Sequence, residues 1–396
     1  MDHHAHGHAH GPARGPGRRR RTDEPRALRR LAWLVLVPVA VATLVATALL
    51  WPTGGLPEGQ SSSAEEVEGQ IVSVERSACT EDLADLADTV NGCGTASVRL
   101  GTGGDSVEVP LPNGVGAPEV EAGDDVVLTR GENADGVVLT IVDHQRGTAL
   151  WILVAAFALA LVAFGRWRGL SSLAGLVVTF AVLGTFVVPA VLAGESPLLV
   201  AVVGSTLVIL VVLHLTHGFS PTTTVAVLGT LGSFAVTALL GWLSVTALHL
   251  SGVTDDIALS VGTTYGVQMQ GLLLAGIVIG SVGVLDDVTV TQASTVDELA
   301  RANPGYGARQ LFRAGQRVGR AHVASVVNTI VLAYAGSSLP VLVLVLAGSD
   351  SLGGVVTDQF IAQEIVRSIV ATLGLVAAVP LTTALAALSL RRGGAA

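Results

Sequence analysis

Long apolar stretches constrain this chain more than any other feature. About eight of them are long enough to cross roughly 30 Å of hydrocarbon as helices, and they occupy residues 31–51, 148–165, 170–193, 197–216, 223–248, 268–286, 321–346 and 365–390. Of the 396 residues, 50% are hydrophobic and 13% are charged, which is about half the charged share of a soluble domain. The sequence therefore predicts an all-α polytopic membrane bundle of about eight transmembrane helices.

The distribution of arginine predicts the orientation of these helices. The stretch RGPGRRRRTDEPRALRR precedes the first span, and further arginines follow the second span, lie between 301 and 320, and end the last span. Because basic residues accumulate on the cytoplasmic side, both termini are expected to be cytoplasmic. We divide the chain into a disordered His/Arg-rich tail (1–30), a retained transmembrane anchor (31–51), an extracytoplasmic segment (52–146) and a seven-helix membrane domain (147–392).

The extracytoplasmic segment has the pattern of a small all-β domain inserted between helices 1 and 2. Residues 54–146 carry 18 acidic residues and 4 arginines, whereas the rest of the chain carries 13 acidic residues and 18 arginines. After a linker rich in Gly, Pro and Ser come the short runs VEGQIVSVE, TASVRLG, DSVEVPL, DDVVLTR and VVLTIVD. These runs, separated by turn residues, predict five strands in an OB-like barrel.

Two cysteines, Cys79 and Cys93, lie in this segment and bracket a predicted short helix that starts near Thr80. A disulfide is expected because an external domain is in an oxidising compartment. Two free thiols or a metal-binding pair are the alternatives.

The stretch VGVLDDVTVTQAS (282–294) carries the main candidate site. Asp286 and Asp287 end an apolar run near the inner boundary of span six, where carboxylates are costly unless they are used or neutralised. If the helix breaks near Gly283, Asp286 is a suitable N-cap for a new helix. If it continues, Asp287 begins a polar stripe with Thr291, Ser294, Thr295 and Glu298. The candidate ion-binding residues are Asp287, Asp286, Thr291, Asn328 and Thr329.

In the last span, Glu364 and Arg367 are expected to pair with each other.

The segment 304–320 predicts an amphipathic helix at the cytoplasmic interface. Its apolar face carries Ala308, Leu311, Phe312, Gly315 and Val318. A second face carries four arginines at helical spacing, which we expect to bind the anionic headgroups of membrane lipids: Arg309, Arg313, Arg317 and Arg320. A dock for a partner protein or a nucleotide is the alternative.

The sequence gives little support for a metal site, for catalysis or for a bound cofactor. The N-terminal tail holds five histidines, His3, His4, His6, His8 and His10, which are weak candidates for metal ligands in an otherwise disordered segment. No nucleotide-binding glycine loop, H-E-x-x-H or G-x-S-x-G is present. We therefore expect neither an enzyme nor a bound cofactor.

The block GVLDDVTVTQASTVDELARANP, followed by LFRAGQRVGRAHVASVVNTIVLAYAGSSLPVLVL, resembles the YibE/F family of bacterial multipass membrane proteins. The resemblance rests on four elements: Asp287 with Val288, Asn303 with Pro304, Gly315 to Arg320, and Asn328 with Thr329. The chain departs from the family at Asp286, where Met is usual, and after Arg320, where an acidic residue is expected. The resemblance implies a membrane location and a permease-like role without an established substrate.

Two functions remain open at this point. The first is an ion- or proton-coupled permease of unknown substrate in a bacterial plasma membrane. The second is a non-transporting envelope, assembly or signalling factor whose external β-domain binds a partner. A homo-oligomer is compatible with either function, and no feature indicates nucleic-acid binding.

Overall fold

A computed structural model describes residues 32–53, 65–77, 79, 90–101, 104, 106–133, 136–253, 256–348 and 352–389. The histidine-rich tail and the predicted helix after Thr80 lie outside these residues. The helices are α1 (Val37–Leu49), α2 (Gly147–Gly165), α3 (Trp167–Leu192), α4 (Pro197–His217), α5 (Pro221–Ala247), α6 (Asp256–Tyr265), α7 (Met269–Ala302), α8 (Ala308–Ser337), α9 (Leu339–Gly348), α10 (Leu352–Thr357) and α11 (Gln359–Ser389).

Seven of the described helices are long and apolar enough to cross a membrane, by length and composition: α2, α3, α4, α5, α7, α8 and α11. The apolar helix Trp33–Leu49, at the predicted first span, is shorter than these seven. None of the residues of α2 is buried, so its apolar side chains need a non-aqueous surrounding. These helices indicate a multipass membrane protein.

The described residues form two compact units. Unit 1 contains the described parts of 1–49, 201–250 and 273–396, and unit 2 contains those of 50–200 and 251–272.

Unit 2 contains one antiparallel five-stranded sheet. Its strands are β1 (Glu65–Ser77), β2 (Cys93–Leu100), β3 (Ser106–Pro110), β4 (Asp125–Asn133) and β5 (Gly136–His144), in the order β3-β2-β1-β4-β5. All five predicted strands are therefore confirmed. Alternate residues of these strands point inward, so that Ile71, Val98 and Leu128 are fully buried in one apolar core.

The predicted disulfide is confirmed, since Cys79 is bonded to Cys93. Next to Cys93, the buried side chain of Asn91 ties together the loop that follows β3. Its Nδ2 donates to the carbonyl oxygens of Pro112, at 2.6 Å, and Pro118, at 2.8 Å. Its Oδ1 accepts from the backbone N–H of Val120 at 2.8 Å. One side chain thus satisfies three backbone groups that are part of the interior of the domain.

Four helices of unit 1 pack around a common apolar cluster. Ala226 of α5, Ala293 and Val296 of α7, Leu311 of α8 and Ala386 of α11 all belong to it. Small side chains predominate in this cluster, which allows the helices to approach closely where there is no water to drive their association. Packing around this cluster brings together the four helices that carry most of the buried polar residues of unit 1.

Of the two alternatives for the stretch after Gly283, the structure has the continuous helix and not the break. Helix α7 continues without interruption from Met269 to Ala302, and a single glycine is compatible with a helix when nothing else interrupts its backbone hydrogen bonds. Asp286 is therefore not an N-cap. The predicted interfacial segment 304–320 also continues into the next span, since α8 is one helix from Ala308 to Ser337.

Replacing Asn91 by Ala should destabilise the β-domain by about 2–4 kcal/mol, because buried backbone groups lose their partner. The free energy of opening of strands β1 to β4, from amide hydrogen exchange on the full chain, measures this loss. Gln70→Ala is the control, since Gln70 is exposed and its amide makes one bond of 3.4 Å. It should change the same free energy by less than about 0.5 kcal/mol. Equal effects of the two substitutions would contradict the role given to Asn91.

The double variant Cys79→Ser, Cys93→Ser should lower the free energy of unfolding of the β-domain by about 3 kcal/mol, because the disulfide closes a loop with a sequence separation of 14. Thermal unfolding of the full chain with and without reductant measures it. Reductant should destabilise the parent protein and leave the double variant unchanged. A parent protein that is indifferent to reductant would argue against a stabilising bond.

Candidate functional site

The two adjacent acids lie on different sides of α7. Asp286 is half-buried, whereas Asp287 is exposed. The polar stripe predicted to begin at Asp287 lies on one exposed face, with Thr291, Ser294 and Glu298 also exposed. The charged face of α7 is therefore not the face that packs against its neighbours in unit 1.

Two of the other predicted ligands lie on α8. Asn328 and Thr329 are exposed on α8, and the Thr329 hydroxyl donates back to the carbonyl oxygen of Ser325 at 3.4 Å. Among the described residues, no hydrogen bond or ion pair connects either side chain with Asp287 or Thr291.

The buried face of α7 carries neutral polar side chains instead. The hydroxyl of Thr289 lies 2.5 Å from that of Thr230 on α5, and both residues are completely buried. Thr289 also donates to the backbone carbonyl oxygen of Asp286 at 3.1 Å. This pair therefore connects α5 with α7 one turn beyond the half-buried acid.

One turn further along α7, Gln292 connects three helices. Its Nε2 donates to the carbonyl oxygen of Gly315 on α8 at 2.9 Å and to the hydroxyl of Thr383 on α11 at 2.7 Å. A Cβ atom on Gly315 would lie 2.9 Å from the Thr383 methyl group, and one on Gly319 would lie 2.8 Å from Gln292 Oε1. The two glycines are thus required for α8 to come within hydrogen-bonding distance of Gln292.

A column of hydroxyls continues along the buried face of α5. Thr223, Thr230, Ser233 and Thr237 are all buried, and with 1.5 Å of rise per residue they extend over about 21 Å. Facing them on α11, Thr382 is completely buried and its hydroxyl has no hydrogen-bond partner within the described residues. Thr382 packs against Gly229 of α5, where a Cβ atom would collide with it.

A small cavity of about 110 Å³ lies where the column reaches the start of α5. Polar residues from the end of α4, from α5 and from α7 contribute to its lining: His217, Ser220, Thr222, Thr223 and Ser294. The Thr222 hydroxyl donates to Asp297 at 3.2 Å, and Asp297 pairs with Arg301 at 2.6 Å. Ser294 belongs to the stripe of Asp287, so the exposed polar face of α7 leads into this cavity.

A second polar group lies near the start of α11. The predicted pairing of Glu364 with Arg367 is confirmed at 2.9 Å, and the Arg367 guanidinium lies 5.9 Å from the centre of the Tyr334 ring. Glu364 Oε2, Arg367 Nε and the Nε2 of the neighbouring Gln363 are buried without a hydrogen-bond partner among the residues described. The pair thus keeps two charges together but leaves part of their hydrogen-bonding capacity unused.

The four arginines predicted to contact lipids, Arg309, Arg313, Arg317 and Arg320, are all exposed on α8. In the same helix Leu311, Ala314, Gly315 and Gly319 are buried. Across the part of the chain that the structure describes, no group of three or more His, Cys, Asp or Glu residues is arranged to hold a metal ion.

The sequence prediction does not include the interior polar residues, because charged side chains give the stronger local signal. Thr289 and Gln292 are three positions apart on α7, and threonines or serines recur along one face of α5. Helical periodicity of neutral polar residues within an apolar span is a signal that could have identified both faces.

Of three comparisons with known proteins, one found a match. No curated protein and no solved structure matches the chain. A family model described as YibE/F-like protein matches residues 153–392, from α2 to beyond the end of α11. The match covers more than half of the chain and includes the acids of α7, the glycines of α8 and the threonines of α11, so the chain belongs to the YibE/F family.

Proposed function

We propose that this protein is an ion- or proton-coupled permease, whose pathway follows the polar seam between α5, α7, α8 and α11. The observation that carries the proposal is the seam itself: buried hydroxyl and amide groups that extend about 21 Å through the bundle and end in a polar cavity. A seam of this length would cross most of the hydrocarbon thickness of a bilayer.

Packing alone explains part of the seam. Ser233 and Thr237 each donate to the carbonyl oxygen four residues earlier, and such bonds satisfy hydroxyls within apolar helices. Packing does not explain Thr382, whose buried hydroxyl has no hydrogen-bond partner in the described structure. An unused hydroxyl is costly in a medium without water, and a passing solute or ion could supply the missing bond.

The acids of α7 suit the coupling role. Two adjacent carboxylates repel each other, and a bound proton or cation relieves that repulsion. The Thr289 hydroxyl bonds to the backbone of Asp286 and to Thr230, so occupancy of the acids can be communicated to the seam. Hydroxyl and carboxylate oxygens are also the ligands preferred by hard cations.

The external domain and the orientation form part of the same proposal. The order β3-β2-β1-β4-β5 is compatible with a partly open, OB-like barrel. Arginines follow α2 at 166 and 168 and cluster from 301 to 320, which supports cytoplasmic termini in a bacterial plasma membrane.

Asp286→Asn and Asp287→Asn should each reduce ion flux into proteoliposomes by at least about tenfold, because the coupling charge is removed. The assays are the fluorescence of an internal pH-sensitive dye under an imposed proton gradient and the uptake of radioactive Na⁺. Glu298→Gln is the matched control, since Glu298 is an exposed acid on the same helix. It should retain at least half of the parent flux.

A flux equal to that of protein-free liposomes under every gradient would contradict transport. The second candidate, an envelope or signalling factor, would then be favoured, and one observation supports it. Val138 and Val142 on the edge strand β5 are exposed, as expected where a partner packs on a sheet.

The orientation has its own test. Val115→Cys, at a fully exposed position of the β-domain, should react with a membrane-impermeant maleimide in intact cells. Gly305→Cys, at an exposed position between α7 and α8, should react only after the cells are permeabilised. The reverse pattern would invert the proposed topology.

A further inference from the structure

A groove between the beginning of α8 and the end of α11 combines an apolar floor with two positive charges. Its volume is about 360 Å³, within the range of roughly 300–1,000 Å³ typical of ligand sites. Phe312 of α8 and Ala384, Ala387 and Leu388 of α11 form the apolar lining, and Arg309 and Arg313 contribute the charge.

The two arginines are available to a ligand. Both are exposed, and neither forms an ion pair among the described residues, whereas four other arginines do. They are separated by one helical turn, so their side chains lie next to each other on the same face of α8. Arg309 also lies in the first turn of α8, where the helix dipole favours an anion.

We infer that this groove is a binding site for an anionic phospholipid, with the phosphate at Arg309 and Arg313 and an acyl chain along Phe312, Ala384 and Leu388. Charge complementarity and the apolar floor together select this ligand. A soluble anion would not contact the apolar lining, and a neutral lipid would leave two guanidinium groups without an anionic partner. A phospholipid with a negative headgroup satisfies both parts of the groove.

The proposed site involves only two of the four arginines on the basic face of α8, whereas a general attraction to the membrane surface would involve all four. Arg317 and Arg320 are exposed on the same helix but do not line the groove. Diffuse attraction weights all four arginines alike, whereas a bound lipid distinguishes the first pair from the second. The inference is independent of transport, since it holds whether or not the protein moves an ion.

The test uses the purified full chain in detergent, with phosphatidylglycerol as the probe and phosphatidylcholine as the neutral comparison. Native mass spectrometry measures retained lipid, and thermal unfolding measures the stabilisation that binding confers. Arg309→Gln with Arg313→Gln should weaken phosphatidylglycerol binding by at least about tenfold. The matched control, Arg317→Gln with Arg320→Gln, should weaken it by less than about twofold.

A further variant separates the acyl chain from the headgroup. Ala384 lines the groove and is only partly buried, so Ala384→Phe should fill the groove and weaken phosphatidylglycerol binding while both arginines remain. Its unfolding temperature without added lipid reports whether the fold is intact.

Three outcomes would overturn the inference. Equal losses from the two arginine pairs would show diffuse attraction. Full competition by millimolar inorganic phosphate would show a site for a free anion. If substitutions in the groove changed the number of protein chains per detergent particle without changing the amount of bound lipid, a second copy of the protein would be the occupant of the groove.

Discussion

The Gln292 carboxamide is the interaction on which the packing of unit 1 depends. Its Nε2 bonds to a backbone carbonyl of α8 and to a hydroxyl of α11, so a single side chain of α7 determines the position of two neighbouring helices. In a bundle without water, a buried amide must find its partners within the protein. The requirement extends to Gly315 and Gly319, since larger residues would push α8 beyond the reach of Gln292.

The same physical logic orders the hydroxyls. A threonine that bonds back to its own helix is satisfied wherever it lies, and therefore does not restrict its neighbours. The Thr230–Thr289 bond between helices is different, because it fixes α5 against α7 at one height. Thr382 differs again, because it fits closely against Gly229 and yet has no partner in the described structure. Close packing around an unsatisfied hydroxyl is the feature of the seam that apolar contacts alone do not explain.

The sequence predicted more of the fold than of the site, and the residues show why. Apolar length identified seven long apolar helices and alternation identified five strands, since both depend on local periodicity. The seam depends on which helices are neighbours, and nothing in the sequence of α7 indicates that Gln292 meets Thr383 of α11. Charge was the more visible local signal and led to Asp287, which is exposed. The sequence left a break near Gly283 and a continuous helix as alternatives, since two acids at a helix end oppose its dipole, and the structure has the continuous helix.

Helix α7 therefore separates two kinds of polarity that the sequence presents side by side. Its acids lie on or near the exposed face, where the cost of their charge is smaller, while neutral groups occupy the buried face, where each needs only one or two partners. Asp286 lies between these two environments, half-buried and bonded through its backbone to the seam. A proton or cation bound there changes the charge next to the interior without being buried in it. In the proposed permease, this arrangement would let an ion act on the hydroxyl and amide groups of the seam while the strongest charges stay outside the packed core.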